Sequence, residues 1–233
     1  MKRLMDIVLS LVALLILAIP FLIVIIVLKC TGEHQVWYRQ DRIGYLGRTF
    51  RVFKFCTMRT GSEFTGSKDI TVRNDPRVLP VGRFLRKTKL NELPQILNVL
   101  LGDMSIVGWR PLVPRGFHDY PPDIQKNIVK VRPGLTGIGS VVFRDEEAIV
   151  TEGARQGKDL LACYREDILP YKGALELWYA EHRSFWLDVK LIVATVWAII
   201  RPHSDFYRRW FKDLPEPQSE LVRRHTQRSV QAA

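Results

Sequence analysis

Residues 87–95, with the sequence KTKLNELPQ, place an amide, Asn91, directly before a carboxylate, Glu92. A carboxylate can act as a nucleophile, accept a proton or bind a divalent cation. An amide is a far poorer nucleophile, but asparagine is among the best residues for the N-cap of a helix. The pair therefore has two interpretations, as a helix cap or as part of a catalytic site.

The composition points to an anionic partner. Lys and Arg outnumber Asp and Glu by 35 to 24 over 233 residues, which gives a formal charge of +11. Nucleic acid, anionic lipid and a phosphorylated substrate all fit this charge. The aromatic residues follow core spacing and form no stacking platform among the basic residues, which disfavours nucleic acid. The three cysteines include no C-x-x-C pair, so neither a disulfide framework nor a zinc site is indicated.

The Asn91–Glu92 pair precedes an apolar pattern with helical spacing. Gly102 is well placed to end that helix, and Pro94 is tolerated only near a helix start. The sequence therefore predicts that Asn91 and Glu92 form the N-terminus of the helix. Free N–H groups and the positive end of the helix dipole would then face a phosphoryl group. The apolar positions are Leu90, Leu93, Ile96, Leu97, Leu100 and Leu101.

The remaining pattern after residue 30 is that of an α/β domain. Two strands are predicted at Val36–Arg39 and Thr49–Met58, joined by RIGYLG, and a polar loop at Arg59–Asp75. Leu175–Tyr179 fits a helix or a strand. Ser184–Ile200 predicts an apolar helix that is too short to span a membrane, and we favour a place at the membrane interface over the core. The tail from Asp213 onward is predicted to be loosely ordered.

The N-terminus contains a membrane segment. Ile7 to Leu28 carries no charge over 22 residues, enough for about 33 Å of helix. No small-x-small cleavage site follows it, so a cleaved signal peptide is disfavoured. Pro20 predicts a kink or break in the helix. Lys2, Arg3 and Lys29 flank the segment on both sides, and these charges leave open a re-entrant hairpin and a kinked single span.

Several ordered motifs resemble those of the bacterial sugar transferases, the small membrane-embedded phosphoglycosyl transferases that begin capsule, O-antigen or exopolysaccharide assembly. They are RQDRIGYLGRTFRVFKFCTM, NDPRVLPVGRFLRKTKLNELPQILNVLLGDMSIVGWRP, VRPGLTG and SFWLDVKLI. The resemblance runs from Lys2 to about Arg201. It implies an α/β (α+β) fold that is mainly helical, with a small antiparallel sheet, interface amphipathic helices and a re-entrant N-terminal helix broken near Pro20.

The resemblance also implies an activity and a location. A sugar 1-phosphate is transferred from a UDP-sugar to polyprenyl (undecaprenyl) phosphate, with Mg²⁺ as cofactor and UMP released. The expected place is the cytoplasmic face of the bacterial inner membrane, and a homodimer is compatible with it. The expected parts are a membrane helix at 1–30, a transferase domain at 31–212 and a polar tail at 213–233.

The resemblance assigns roles to individual residues. Asn91 holds the position of the family's aspartate nucleophile, and Glu92 that of the Mg²⁺ ligand. Guanidinium and ammonium groups that fall in the motifs are expected to bind phosphate oxygens. These expected phosphate or substrate ligands are Lys54, Arg86, Lys87, Arg110, Arg132 and Arg144, with Lys54, Arg86 and Arg110 preferred.

Three positions depart from the family pattern. Asn91 replaces the usual aspartate, Cys56 stands where an arginine is common, and Trp109 stands in place of the proline of GPRP. Three explanations follow: a subgroup that works with an Asn-Glu pair, a catalytically silent membrane scaffold, or an engineered inactive variant. An active subgroup would use Glu92 as the nucleophile or pass the sugar phosphate directly to the lipid phosphate.

Overall fold

Helices make up most of the protein, with two small sheets among them. The computed structural model describes residues 1–62, 71–72, 74–201 and 206–228. The strands are β1 (Trp37–Ile43), β2 (Thr49–Phe55), β3 (Ser105–Val107) and β4 (Gly134–Thr136). The helices are α1 (Lys2–Cys30), α2 (Pro80–Lys87), α3 (Gln95–Leu101), α4 (Pro114–His118), α5 (Pro122–Ile128), α6 (Ile138–Val142), α7 (Glu146–Arg155), α8 (Leu160–Cys163), α9 (Leu169–His182), α10 (Phe185–Ile200), α11 (Phe206–Trp210) and α12 (Glu220–Arg228).

The predicted pair of strands is confirmed as the antiparallel hairpin β1–β2, although β1 continues to Ile43, past the predicted end at Arg39, and β2 ends at Phe55, before the predicted Met58. Its register runs from Trp37 opposite Phe55 to Ile43 opposite Thr49. The connection is a 3₁₀ turn in which Gly47 has φ of 76°, a conformation that glycine adopts without strain. The predicted loop at 59–75 follows the hairpin, and its residues 63–70 and 73 lie outside the described residues.

The second sheet is parallel and brings the segment around Trp109 against β4. β3 pairs with β4 in the register Ser105 to Gly134. A Cβ on Gly134 would lie 2.1 Å from the backbone N of Gly108, so only glycine allows these two backbone segments to approach this closely. Trp109 is buried and its Nε1 donates to the carbonyl of Val131 at 2.8 Å. The large side chain that departs from the family pattern therefore belongs to the core.

The predicted helix start at Asn91 is wrong. Residues Leu90–Glu92 form a 3₁₀ turn, and α3 begins at Gln95 with Pro94 as its N-cap residue. Lys89 before the turn has φ of 62°, so the backbone reverses direction and a regular helix cannot yet form. The predicted end of the helix is confirmed, because Gly102 has φ of 93° directly after Leu101.

The main core surrounds α9, which settles the choice left open for Leu175–Tyr179 in favour of a helix. Leu175 and Tyr179 are fully buried there. The predicted helix at Ser184–Ile200 is confirmed as α10, with the Ser184 hydroxyl accepting from the backbone N–H of Leu187 as its N-cap.

The prediction of a loosely ordered tail is wrong for residues 220–228. These residues form α12, whose Val222 is fully buried and belongs to the main core. The Ser219 hydroxyl donates to Asp167 at 2.6 Å and fixes the start of this helix to the core. The sequence pattern of this helix is hard to detect, because the helix is mostly polar and only a few apolar residues attach it to the core. Residues 229–233 lie outside the described part of the chain.

α1 is one helix of 29 residues. It continues without interruption through Pro20, so the predicted break at this proline is wrong. A proline removes one backbone N–H, which is insufficient here to end the helix. Apolar side chains in its middle are largely exposed, among them Leu15 (80%) and Ile19 (71%). Within the described residues, α1 is the one helix long and apolar enough to cross a membrane.

The N-terminal end of α1 is held to the domain by polar contacts. Lys2 Nζ forms an ion pair of 2.6 Å with Asp188 Oδ2 on α10. Asp6 is buried and accepts from the hydroxyl of Ser105 and, at 2.9 Å, from the backbone N–H of Ile106. We call these two contacts the N-terminal clamp. The clamp ties α1 to both α10 and β3.

The other end of α1 is held by apolar packing. Leu28 is buried in a small core with Val36, Phe55 and Leu85. The ring of Phe21 lies 5.2 Å from the ring of Phe55 on β2. Both ends of the apolar helix therefore contact the same domain.

Candidate active site around Glu92

Glu92 lies between two cationic side chains that are far apart in the sequence. Its Oε1 is 2.7 Å from Arg110 Nη2 and 3.3 Å from Lys54 Nζ. The side chain of Glu92 is only 14% exposed and that of Lys54 only 17%. The structure thus brings together three of the residues that the sequence predicted. We call Lys54, Glu92 and Arg110 the central triad.

Three different elements position the central triad. Lys54 lies on β2, Glu92 ends the turn before α3, and Arg110 follows β3. The amide of the buried Asn98 fixes α3, the helix after the turn, to β2: its Oδ1 accepts from the N–H of Phe53 at 2.9 Å, and its Nδ2 donates to the carbonyl of Arg51 at 2.8 Å. A buried amide that bridges two elements fixes their relative position.

The charges of the central triad depend on one another. Burial by itself would raise the pKa of Glu92, but Arg110 and Lys54 outweigh it and hold this pKa well below its usual range. Burial lowers the pKa of Lys54 to about 7, helped by Arg42 and Arg110 and opposed by Glu92. Glu92 in turn raises the pKa of Arg110. Glu92 is therefore ionised at neutral pH, whereas Lys54 is close to its midpoint.

A second carboxyl group, that of Glu176, contacts the backbone of Arg110. Glu176 is 1% exposed, and its Oε1 accepts from the backbone N–H of Arg110 at 3.2 Å. A Cβ at Gly139 would lie 2.4 Å from this oxygen, so the carboxyl group fits against the backbone of α6 only because residue 139 is glycine. Burial raises the pKa of Glu176 to about 7, against the opposite effects of Arg110 and Lys172. No described residue hydrogen-bonds to its Oε2.

Lys172 continues this buried polar layer. It is 2% exposed and forms an ion pair of 2.5 Å with Glu146. Its Nζ also lies 3.4 Å from the hydroxyl of Tyr164. Glu146 and Tyr164 both act electrostatically on Arg110, so this layer borders the central triad.

Sequence reasoning missed these residues. A signal was present: Lys172 and Glu176 are four residues apart on one face of an otherwise apolar helix, which indicates charges directed into the core.

Asn91 lies in the same turn as Glu92 and is buried, with 7% of its surface exposed. It caps no helix, since α3 begins four residues later. Its Oδ1 has no hydrogen-bond partner within the described part of the chain. A buried amide oxygen without a partner is costly unless a ligand or water completes its bonding. A polar ligand or a water molecule would complete the bonding of this oxygen.

Four of the predicted phosphate ligands lie outside the central triad. Arg86 forms an ion pair of 2.7 Å with Glu147, and Lys87 is exposed on α2. Arg132 donates to the carbonyl of Gly102 and lies over the ring of Tyr45 at 5.1 Å, so both of its contacts are elsewhere.

Arg144 is half-buried, and its charge acts on Lys89. Burial lowers the pKa of Lys89, Glu92 opposes this effect, and the charges of Arg110 and Arg144 add to it. The charge of Lys89 in turn helps to lower the pKa of Glu92. Lys89, another residue that the sequence analysis did not select, therefore acts electrostatically on the central triad.

Chemically, the central triad places two basic side chains around one carboxylate, an arrangement that suits an anionic ligand. Lys54 and Arg110 can exchange part of their bonding to Glu92 for phosphate oxygens, and Arg110 can do so with two parallel hydrogen bonds. Among the described residues, no group of three or more His, Cys, Asp or Glu could by itself hold a metal ion. Mg²⁺ commonly uses only one or two protein carboxylates and takes its other ligands from phosphate and water. Glu92 and the unpartnered Oδ1 of Asn91 are oxygen ligands that fit this pattern.

Comparison with known proteins extends this result. A model of the family described as bacterial sugar transferase matches residues 1–202. The UDP-glucose:undecaprenyl-phosphate glucose-1-phosphate transferase of Klebsiella pneumoniae is 36% identical over 84% of this chain and 39% of its own length. The galactosyl transferase CpsE of Streptococcus agalactiae is 31% identical over 85% of this chain and 42% of its own length.

Another relative is of similar size. The exopolysaccharide production protein PSS of Rhizobium leguminosarum is 35% identical over 84% of this chain and 93% of its own length. By contrast, the chain spans about two fifths of the length of the Klebsiella and Streptococcus relatives. The family model covers most of the chain, and the motifs that supply the central triad lie within the matched residues. This protein therefore belongs to the bacterial sugar transferase family.

Proposed function

We propose that this protein transfers a sugar 1-phosphate from a UDP-sugar to a polyprenyl phosphate such as undecaprenyl phosphate, with release of UMP. This reaction would start the assembly of a polysaccharide or glycoconjugate. Relatives named for this type of reaction support the substrate class. The observation that carries the proposal is the central triad, in which two half-buried basic side chains and one carboxylate offer a site for phosphate groups.

The reaction is a substitution at phosphorus. An oxygen of the polyprenyl phosphate forms a bond to the β-phosphorus of the UDP-sugar. The bond from that phosphorus to the oxygen bridging the α-phosphate breaks, and UMP leaves with the electron pair. The products are the polyprenyl diphosphate sugar and UMP. No proton has to be transferred, so the main task of the protein is to align the two phosphates and to stabilise their charge.

Direct transfer suits this chain better than attack by a carboxylate. Asn91, at the position of the family's nucleophile, carries a neutral amide. Glu92 is ionised but already bound to Arg110 and Lys54, and these cations reduce its nucleophilicity. In this mechanism Lys54 and Arg110 bind phosphate oxygens, Glu92 orients the two cations, and the Asn91 amide hydrogen-bonds to substrate.

The proposal includes Mg²⁺. Glu92, together with the amide oxygen of Asn91, would hold the ion, and the remaining ligands would be phosphate oxygens and water. When bound, Mg²⁺ neutralises charge on the diphosphate.

The proposal places the protein at the cytoplasmic face of the bacterial inner membrane. Both ends of α1 would stay at that face, with its exposed apolar middle inserted in the bilayer, because the domain holds both its N-terminal clamp and the packed end around Leu28. A polyprenyl phosphate lies in the membrane with its phosphate at the surface, so a site tied to such a helix is suitably placed for it.

The test is release of UMP. The purified full chain in detergent with Mg²⁺ would be given polyprenyl phosphate and, one at a time, a panel of UDP-sugars. We expect UMP to appear with at least one sugar and only when the polyprenyl phosphate is present, because direct transfer leaves no covalent intermediate on the protein. UMP release without the lipid phosphate would exclude direct transfer.

A silent scaffold of the same pathway is the second candidate, and the neutral amide of Asn91 is the observation that favours it. This candidate predicts no UMP with any sugar. UDP binding measured on the same samples would show that the protein is intact.

A further inference from the structure

A groove with a volume of about 630 Å³ lies between the middle of α10 and the segment that contains α11. It carries three cationic side chains, of Lys190, Arg209 and Lys212, and one acidic side chain, of Asp213. The three cations are exposed, and none forms a salt bridge with a described residue. The groove therefore has an excess of positive charge available for a ligand.

The structure orients one of these cations. Lys190 Nζ donates to the backbone carbonyl of Trp210 and lies 5.0 Å from the centre of the Phe211 ring. Its ammonium group has three donors, so two remain for a ligand. Trp210 also lines the groove, which places an amphipathic aromatic side chain beside the cations.

An exposed apolar surface continues from this groove along α10. Val193 lines the groove and is 49% exposed, and Val196 and Ile200 are 52% and 68% exposed on the same helix. Trp197 is 38% exposed, with the guanidinium of Arg201 at 5.4 Å from its ring. Apolar side chains, tryptophan and cations in this combination are typical of helices at a membrane interface.

The position of α10 fits such an interface. The ion pair between Lys2 and Asp188 attaches α10 to the first turn of α1, which is the helix suited to enter a membrane. Leu4, in the same turn of α1, is 68% exposed. The apolar surfaces of the two helices therefore begin near one another.

We infer that this groove binds the headgroup of an anionic phospholipid, with the phosphate at Lys190, Arg209 and Lys212 and the acyl chains along the exposed face of α10. A single molecule of this class matches both the cationic groove and the apolar face of α10, since its headgroup is anionic and its acyl chains are apolar. A free phosphate would use only the cations, and a zwitterionic lipid would bring its own positive charge next to them. The inference concerns a structural lipid and does not depend on the proposed transfer reaction.

The test uses short-chain lipids that dissolve below their micellar concentration. Thermal unfolding of the full chain in detergent would be followed while dihexanoyl phosphatidylglycerol, dihexanoyl phosphatidylcholine or inorganic phosphate is added. A ligand that binds only the folded protein raises its Tm in a saturable manner. We expect phosphatidylglycerol to raise the Tm, and the other two compounds to raise it much less at the same concentration.

A matched pair of variants locates the effect. The groove variant carries Lys190→Gln, Arg209→Gln and Lys212→Gln, and the control carries Lys126→Gln, Lys130→Gln and Arg155→Gln, which remove the same charge from exposed positions elsewhere. We expect the control to keep the phosphatidylglycerol response and the groove variant to lose most of it. If the groove variant fails to fold, the pair Arg209→Gln and Lys212→Gln replaces it, because Lys190 then keeps its contact with Trp210.

Three results would overturn the inference. An unchanged response in the groove variant would place the lipid elsewhere, for example at the central triad. Equal responses to the two lipids would mean that only the acyl chains matter. An equal response to inorganic phosphate would mean that the groove is a free-phosphate site. None of these measurements involves turnover, so their failure is distinct from failure of the proposed function.

Discussion

Arg110 is held at both ends: Glu176 accepts its backbone N–H at 3.2 Å, and its guanidinium lies 2.7 Å from Glu92. The contact with Glu176 fixes the backbone of Arg110, and the contact with Glu92 fixes its guanidinium group. A cation fixed in this way loses little conformational freedom when it binds phosphate.

Glu176 is therefore predicted to position Arg110 without touching substrate. Glu176→Gln keeps an oxygen acceptor of almost the same shape and should retain most of the activity. Glu176→Leu removes the acceptor, and the resulting displacement of Arg110 should lower kcat by about tenfold to a hundredfold. Steady-state UMP release would measure both variants. If Glu176→Gln is as impaired as Glu176→Leu, the charge of Glu176 matters and the positioning role is wrong.

Arg110 is predicted to bind substrate phosphate. Arg110→Ala should weaken UDP binding by about 1.5 to 3 kcal/mol, as expected for the loss of a charge-assisted hydrogen bond. Arg224→Ala is the control, because Arg224 is exposed and its one ion pair among the described residues is with Glu220, one turn away on α12. Isothermal titration with UDP would compare the two. Equal losses would show that overall positive charge, and not a site, explains the binding.

Lys54 is predicted to make binding depend on pH. Burial lowers its pKa to about 7, so Lys54 in the free protein loses its proton as the pH rises above 7. Only the protonated side chain attracts an anion, so binding then requires that Lys54 take up a proton. UDP affinity should fall by up to about tenfold for each pH unit above 7. Lys54→Arg should flatten this dependence, since arginine stays charged.

The measurement for Lys54 is the dissociation constant of UDP between pH 6.5 and 8.5. The second ionisation of a phosphate, near pH 6, affects both proteins equally. A wild type whose affinity follows the same curve as Lys54→Arg would show that Lys54 keeps its proton throughout this range.

Asn91→Asp is predicted to change the mechanism. The new carboxylate would stand where the buried Oδ1 now lacks a partner, next to the cations of the central triad. It could attack the β-phosphorus and release UMP before any lipid phosphate is added, leaving a sugar phosphate on the protein. Intact-protein mass spectrometry with UDP-sugar and Mg²⁺ should show this adduct in the variant and not in the wild type. If Asn91→Asp forms no adduct and Glu92→Gln leaves turnover unchanged, the turn has no catalytic role.

The topology of α1 is predicted to bring both ends to the cytoplasmic side. Cys30 at its C-terminal end is exposed, whereas Cys56 and Cys163 are buried, so the native protein carries its own reporter thiol. A cysteine inserted after Met1 in a Cys30→Ser background reports on the other end without disturbing Lys2.

A membrane-impermeant maleimide should label neither reporter in intact cells and both in inverted vesicles. Labelling of the N-terminal cysteine from the periplasm, with Cys30 protected, would instead mean a kinked single span.

Sequence patterns predicted the elements whose signal is local. The β1–β2 hairpin follows from its alternating side chains and the glycine in its turn, and α10 follows from its apolar residues and the Ser184 cap. The start of α3 was wrong because the left-handed backbone at Lys89 depends on how the turn packs. α12 was missed because its attachment rests on a few residues such as Val222.

The central triad was predictable only in part. The motifs pointed to Lys54, Glu92 and Arg110, but their geometry arises from three elements, and no spacing reveals that Glu92 binds both cations. The motifs also suggested Arg132 as a phosphate ligand, but its contacts are with Gly102 and Tyr45. Glu176 was missed because its role is a contact with main chain 66 residues away.

The two attachments of α1 fix the depth at which the protein sits in a membrane. Asp6 and Leu28 are both buried in the domain, and most of the exposed apolar residues of α1 lie between them. The number of residues in that interval sets how far the helix reaches into a bilayer. It also sets the height at which Arg110 stands, because Arg110 follows closely after β3, which Asp6 binds. Inserting residues into the interval would thus shift the site relative to the lipid phosphates while leaving the domain intact.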